Sequence, residues 1–204
     1  MRKKILFVLL LTLSASLAFG QFTLGPKIGY TTSKLSTELE DIHSSIKEDF
    51  DFGLFMRIGR KVHLQPEIIW TSKGAHLERT ENSNLKAINQ EINLKTIDIP
   101  LHLGFRLVNF GVGNIRFLFG PNASIVVDKT VSIQEKEEYI NPIKTADIED
   151  LIWAVNVGGG IDLFMFTIDV KAQFGINDIV EQADNIDFHA KTNLFIVSLG
   201  WKIF

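Results

Sequence analysis

The chain has 204 residues, no cysteine and a formal net charge of -3. That length suits one domain, and the lack of thiols excludes a disulfide framework and a thiolate metal site. Arg2, Lys3 and Lys4 fall in a segment expected to be removed, which takes the mature chain to about -6; nucleic acid, which wants a basic face, is not expected as a partner.

Residues 1–20 have the layout of a secretory signal peptide. Arg2-Lys3-Lys4 forms the basic start, residues 5–13 are apolar apart from Thr12, and Ala18-Phe19-Gly20 offers small residues at both positions that a signal peptidase reads. The mature domain, residues 21–204, then starts near Gln21. The apolar run is too short for a spanning helix, and no cysteine follows it to carry a lipid. No later stretch is an apolar run of helix length, so an exported chain of this kind is either soluble or a β-barrel.

Eight strands are predicted, each with apolar and polar residues in alternation. Residues 22–31 set Phe22, Leu24, Ile28 and Tyr30 against Thr23, Lys27 and Thr31. Residues 50–60 set Phe50, Phe52 and Leu54 against Asp51, Phe55 and Arg57, and Arg60-Lys61 leads tightly into residues 62–73, where Leu64, Ile68 and Trp70 oppose His63, Gln65 and Glu67. Residues 96–108 carry Ile97, Leu101 and Phe105 against Asp98, His102 and Arg106. After the Asn- and Gly-containing turn at 109–113, residues 114–128 set Ile115, Phe117 and Phe119 against Arg116, Asn122 and Asp128. Residues 151–164 set Leu151, Trp153 and Ile161 against Asn156, Gly160 and Asp162. Phe164-Met165 turns into residues 166–177, where every even position from Phe166 to Ile176 is apolar and the odd ones include Asp169 and Lys171. The eighth strand, 193–204, places Phe195, Val197, Leu199, Trp201 and Ile203 on one face.

The connections alternate long and short, beginning and ending with a long one. In an antiparallel barrel this gathers four long loops at one end and three tight turns at the other, which in outer-membrane barrels are the extracellular and periplasmic ends. The fold class is therefore all-β, an eight-stranded antiparallel up-and-down transmembrane β-barrel. A lipocalin-like soluble carrier would have the same periodicity with its apolar face inward. Side-chain size argues against that, because an eight-stranded interior has room for small and polar groups but not for bulky ones on every strand.

The polar face supplies an interior charge network of Lys27, Arg57, Glu67, Asp98, Arg106, Arg116, Asp162, Asp169 and Lys171, with signs that nearly cancel. Buried charges of this kind must be paired. Arg57 and Glu67 flank the 60–61 turn and are expected side by side. An ion or proton path through the lumen is the functional alternative to a filled interior. The aromatics Tyr30, Phe50, Trp70 and Trp153 lie near long-loop ends and Trp201 and Phe166 near the other, as two membrane-interface girdles would. Pro66 and Pro100 fall mid-strand and are expected to mark bulges.

No catalytic residue, metal site or cofactor is expected. His63 and His102 are expected to face inward and His43, His76 and His189 to lie in loops, with no ligand spacing among them. His43-Ser44-Ser45 is the one local hint of hydrolysis, which keeps an outer-membrane lipid hydrolase as a further alternative. Three of the long loops are acidic: residues 32–49 hold two lysines against five acids, 129–150 three against six, and 178–191 one against four. They could present a surface to a divalent cation or a basic partner.

Several stretches together resemble the PorT-like family of small outer-membrane β-barrel proteins: Gly25-Pro26-Lys27-Ile28-Gly29, Leu64-Gln65-Pro66-Glu67-Ile68-Ile69-Trp70, Ile97-Asp98-Ile99-Pro100-Leu101, Gly120-Pro121, Gly158-Gly159-Gly160, Phe174-Gly175-Ile176-Asn177 and Leu199-Gly200-Trp201-Lys202-Ile203-Phe204. The resemblance implies a barrel in a Gram-negative outer membrane, inserted by the barrel-assembly machinery through a terminal aromatic. The family takes its name from a component of a secretion and gliding system. One departure stands out: Phe204 has the opposite parity from Trp201 and Ile203. The expected partners are outer-membrane lipid, the assembly machinery and an unidentified protein at the extracellular loops, with the barrel itself a monomer.

Overall fold

The computed structural model describes residues 22–37, 43–45, 47–79, 88–133, 148–177, 180–183 and 186–203. The signal-peptide segment, much of the acidic loops, and Phe204 with its parity lie outside the described residues. The strands are β1 (Phe22–Thr37), β2 (His43–Ser45), β3 (Lys47–Gly59), β4 (Val62–Arg79), β5 (Ile88–Asn109), β6 (Gly113–Ile133), β7 (Leu151–Leu163), β8 (Phe166–Gly175), β9 (Val180–Ala183) and β10 (Ile186–Trp201).

Eight of them close into an antiparallel barrel in the order β1-β3-β4-β5-β6-β7-β8-β10, with β10 returning to β1. β2 pairs with the C-terminal end of β4 and β9 with the N-terminal end of β10. The connections β3–β4, β5–β6 and β7–β8 are short, and both ends of the barrel chain lie with them: Ile203 N donates to Leu24 O and Lys202 N to Met165 O.

The alternation of the sequence becomes an alternation of exposure. Leu101, Phe117 and Val170 are 46%, 38% and 42% exposed on the outer wall, while Glu67, Arg116 and Asp169 are buried within. A soluble carrier would need the opposite, so that alternative is overturned. Phe55 and Leu118, which share the polar parity, are buried inside as well.

Three differences from expectation have physical causes. The strands run further at the long-loop end: β4 continues to Arg79, β5 begins at Ile88 and β6 reaches Ile133. In the extension of β5 the inward face itself turns apolar, with Ile92 and Leu94 buried beside Thr96, so the apolar parity that marks the membrane band reverses although the ladder continues. Second, Pro66 and Pro100 cause no bulge. Pro66 faces Leu101 and Pro100 faces Asn122, with no shift of register at either. A one-residue slip would turn Glu67 into the apolar face, so the ladder tolerates the missing donors instead. Third, β5 and β6 shift register where Lys95–Asp128 gives way to Thr96–Val126. This bulge turns Asp128 outward, 49% exposed and paired with Lys95 at 2.9 Å, not inward as its parity suggested.

Candidate functional site

The lumen is organised around Glu67. Its carboxylate accepts from Lys27 Nζ and from Gln65 Nε2 at 2.7 Å on one oxygen, and from Lys171 Nζ at 3.2 Å on the other. His102 Nδ1 lies 3.6 Å away, and its Nε2 is 3.0 Å from Asn156 Nδ2. Lys27 also donates to Asp169 Oδ2 at 2.8 Å, so β1, β4 and β8 are tied across the interior rather than along a ladder. Charge-assisted bonds of this kind are the strong ones, and every ion here needs one because it is cut off from water.

Towards the tight turns, Asp169 and Asp162 both bond the Arg116 guanidinium, which also donates to Thr167. Arg57 Nη1 donates to Asp162 Oδ2 at 2.8 Å and its Nε to Gln65 Oε1 at 3.0 Å; Asn114 Nδ2 reaches the same Asp162 oxygen at 3.0 Å. Phe55 fills the space between, with Lys27 Nζ 5.1 Å and Arg57 Cζ 5.8 Å from its ring centre. Towards the long loops, Lys73 pairs with Asp98 at 2.8 Å and donates to Ser124 Oγ at 2.6 Å. Thr96 and Asn122 also donate to Asp98, and Thr31 and Thr71 to Asp51. A cavity of about 30 Å³ lies between this layer and the Glu67 hub, lined by Lys27, Asp51, Glu67, Asp98, Asn122 and Lys171 among others.

Eight of the nine expected network residues are buried inside. The ninth, Arg106, lines a vestibule at the tight-turn mouth with Arg57, Asp162 and Lys202. The expected Arg57–Glu67 pair is not formed: the register sets Phe55 opposite Glu67, and Arg57 turns to Gln65 and Asp162. Lys73 and Asp51 complete the network. Both are legible as members of the inward parity, and Lys73 sits six residues beyond Glu67 on the same face.

Beyond the last strand, burial holds the Lys202 ammonium below the usual lysine value; Asp162 opposes this, and Arg57, Arg116 and Arg106 reinforce it. His63 and His102 are buried, whereas His43, His76 and His189, expected in loops, stand on β2, β4 and β10, where the ladders run on past the predicted strands. Among the described residues no three His, Asp or Glu groups are arranged to hold a metal ion.

The five expected girdle aromatics stand on the outer wall, partly or largely exposed. Tyr30 faces Phe50 across the ladder in an edge-on contact at 5.6 Å, and Trp70 stacks on Phe52 at 5.7 Å. Trp153 lies on β7 opposite Ala123, and Trp201 pairs with Phe166 at the other end.

The fold is that of solved outer-membrane barrels. The chain is similar to the outer membrane protein OprG from Pseudomonas aeruginosa, at 11% identity over 90% of this chain and 96% of that one, with a TM-score of 0.52. It is also similar to Ail, the attachment invasion locus protein of Yersinia pestis, at 11% identity, 90% and 99% coverage and a TM-score of 0.45. A third is Neisserial surface protein A, at 7% identity, 88% and 97% coverage and a TM-score of 0.44. No curated protein sequence matches this chain. Residues 12–181 match the outer membrane protein beta-barrel domain, which is most of the chain. With a closed barrel that turns its apolar side chains outward and its ions inward, this chain belongs to that outer-membrane barrel family and resides in the outer membrane.

Proposed function

We propose that this protein is a non-enzymatic outer-membrane barrel whose interior is a polar plug and whose long-loop end serves as a structural or binding element outside the cell. The observation that carries this reading is the Glu67 hub. Lys27, Lys171 and Gln65 reach one carboxylate from three strands, which spans the lumen with mutually neutralised charge. An eight-stranded barrel has little room for more than such side chains. Opening a path through it would strand several buried ions at once.

In this reading residues 1–20 are a leader removed on export, and Tyr30, Phe50, Trp70, Trp153 and Trp201 anchor the barrel at the two membrane interfaces. The partners are lipid, the barrel-assembly machinery and a protein at the extracellular end. The motifs that resemble the PorT-like family favour a role beside a protein-secretion system. The plug is tested in planar bilayers: purified protein should give no unit conductance, and stable channels would refute it. The partner is tested by pull-down from detergent-solubilised membranes, comparing wild type with a chain whose 80–87 loop is replaced by a short turn. Capture that is the same for both chains would count against a role for that loop.

A further inference from the structure

The tight turns differ in chemistry. The β3–β4 turn runs through Arg60 and Lys61, both exposed, as suits a turn that stands in water. The other two do not follow this rule. The β5–β6 turn exposes Phe110 and Val112, and the β7–β8 turn is Phe164-Met165, 72% and 51% exposed. These two turns are joined: Phe164 N donates to Val112 O at 3.0 Å, and Gly113 pairs with Leu163. Together they form one apolar lip along the side of the mouth built by β5 to β8.

The β5–β6 hairpin also overhangs its neighbour. Arg106 N donates to Lys61 O at 2.8 Å, at the end of β4, whereas β5 runs on to Asn109. Residues 107–109 carry the hairpin on the order of 10 Å further along the strand. Within this overhang the ladder shifts register between Arg106 and Val108. Leu107 and Val108 are sequence neighbours, yet they are 66% and 51% exposed. A regular pleat would turn one of them inward; the bulge turns both out.

A contiguous apolar patch of this kind marks a surface that meets something other than water. A patch for a protein partner would be set off by a polar rim. This one merges with the lipid-facing wall instead. Every residue from Leu163 to Phe166 is apolar and exposed, and Phe166 opens the greasy face of β8.

We propose that the lip is a lipid anchor. The tips of the β5–β6 and β7–β8 turns dip into the headgroup–acyl boundary of the phospholipid leaflet at the tight-turn end. The Arg60-Lys61 turn beside them stays level with the phosphates, where basic side chains are at home. The proposal rests on the barrel standing in lipid. A charge at this shallow depth costs little, so the lip is tested by depth and not by stability.

The chain has no cysteine, so one introduced thiol carries one reporter. Val112→Cys, Met165→Cys, Val170→Cys and Ser132→Cys are each labelled with an environment-sensitive fluorophore. The full barrel is folded into phosphatidylcholine vesicles that hold a lipid spin-labelled near the headgroup or deep in the acyl chain. Heat-modifiable migration on a gel confirms that each variant is folded, and the two lip positions report independently if one is not. Labels at 112 and 165 should be quenched at least about twofold more by the shallow spin label than by the deep one, as for groups at the headgroup–acyl boundary. The label at 170, mid-wall, should be quenched by the deep one. The label at 132, exposed on the far end of β6, should be quenched by neither. Emission at 112 and 165 as water-like as at 132, with quenching intact at 170, would overturn the lip and leave the embedded barrel standing. Loss of quenching at 170 as well would overturn both.

Discussion

Arg116 lies directly across the β6–β7 ladder from Gly160, and the side chain that the glycine lacks is what leaves the guanidinium room to reach Asp162 and Asp169. A Cβ at position 160 would stand 2.6 Å from Arg116 Nη2 and would also collide with the Asp169 carboxylate. Gly160→Ala should therefore destabilise the barrel by about 1–3 kcal/mol, measured by urea unfolding in lipid vesicles. The neighbouring Gly159 points outward, and a Cβ there meets nothing nearer than Arg116 O at 3.4 Å. Gly159→Ala should be close to neutral, and an equal loss in both variants would refute the account.

Removing the hub should be worse than removing a pair on the wall. Glu67→Ala leaves Lys27 without one of its two carboxylates and Lys171 without its Glu67 partner, both buried in the lumen. The expected loss is about 3–5 kcal/mol. Asp128→Asn breaks a pair in which Lys95 is 67% and Asp128 49% exposed, and should change stability by no more than about 0.5 kcal/mol. Equilibrium unfolding of the two variants side by side decides the matter.

The β7–β8 turn holds Phe164 at φ 50°, the one non-glycine residue with positive φ among the described residues. An L residue with a bulky side chain pays about 1–2 kcal/mol there, which asparagine largely avoids. Phe164→Asn should raise the unfolding midpoint, and an unchanged or lowered midpoint would show that the exposed ring contributes more at the membrane surface than the turn loses.

Orientation can be tested with one residue. Val170 lies mid-strand on the outer wall opposite Val197 and Gly159. Val170→Arg should cost about 2–4 kcal/mol in a bilayer and reduce yield of heat-modifiable protein. Met165→Arg, in the exposed turn at the barrel's end, should have little effect. Equal tolerance at both positions would mean that Val170 does not meet lipid.

What the sequence carries well is anything that depends on parity. A strand through a membrane has one greasy and one polar face, so Lys27, Glu67, Arg116 and Asp169 can be assigned to the interior before any partner is known. Partners are another matter. Glu67 meets Lys27, 40 residues away, and Lys27 meets Asp169, 142 residues away, because barrel shear and not chain spacing decides which strands face one another across the lumen. Arg57 and Glu67 are near in sequence and share a face, yet the register separates them. Parity also fails where a bulge resets it, as at Asp128, and where the inward face turns apolar, as at Ile92 and Leu94 of β5.

The length of β5 has a mechanical consequence. Its 22 residues are twice the roughly 9–11 that a tilted strand needs to cross a bilayer. With β4 and β6 bonded along its flanks, the surplus rises from the membrane as a stiff palisade, not a slack tether. A molecule that meets this end of the barrel would find a preformed wall, already ordered by folding, so contact with it would demand little further loss of chain freedom.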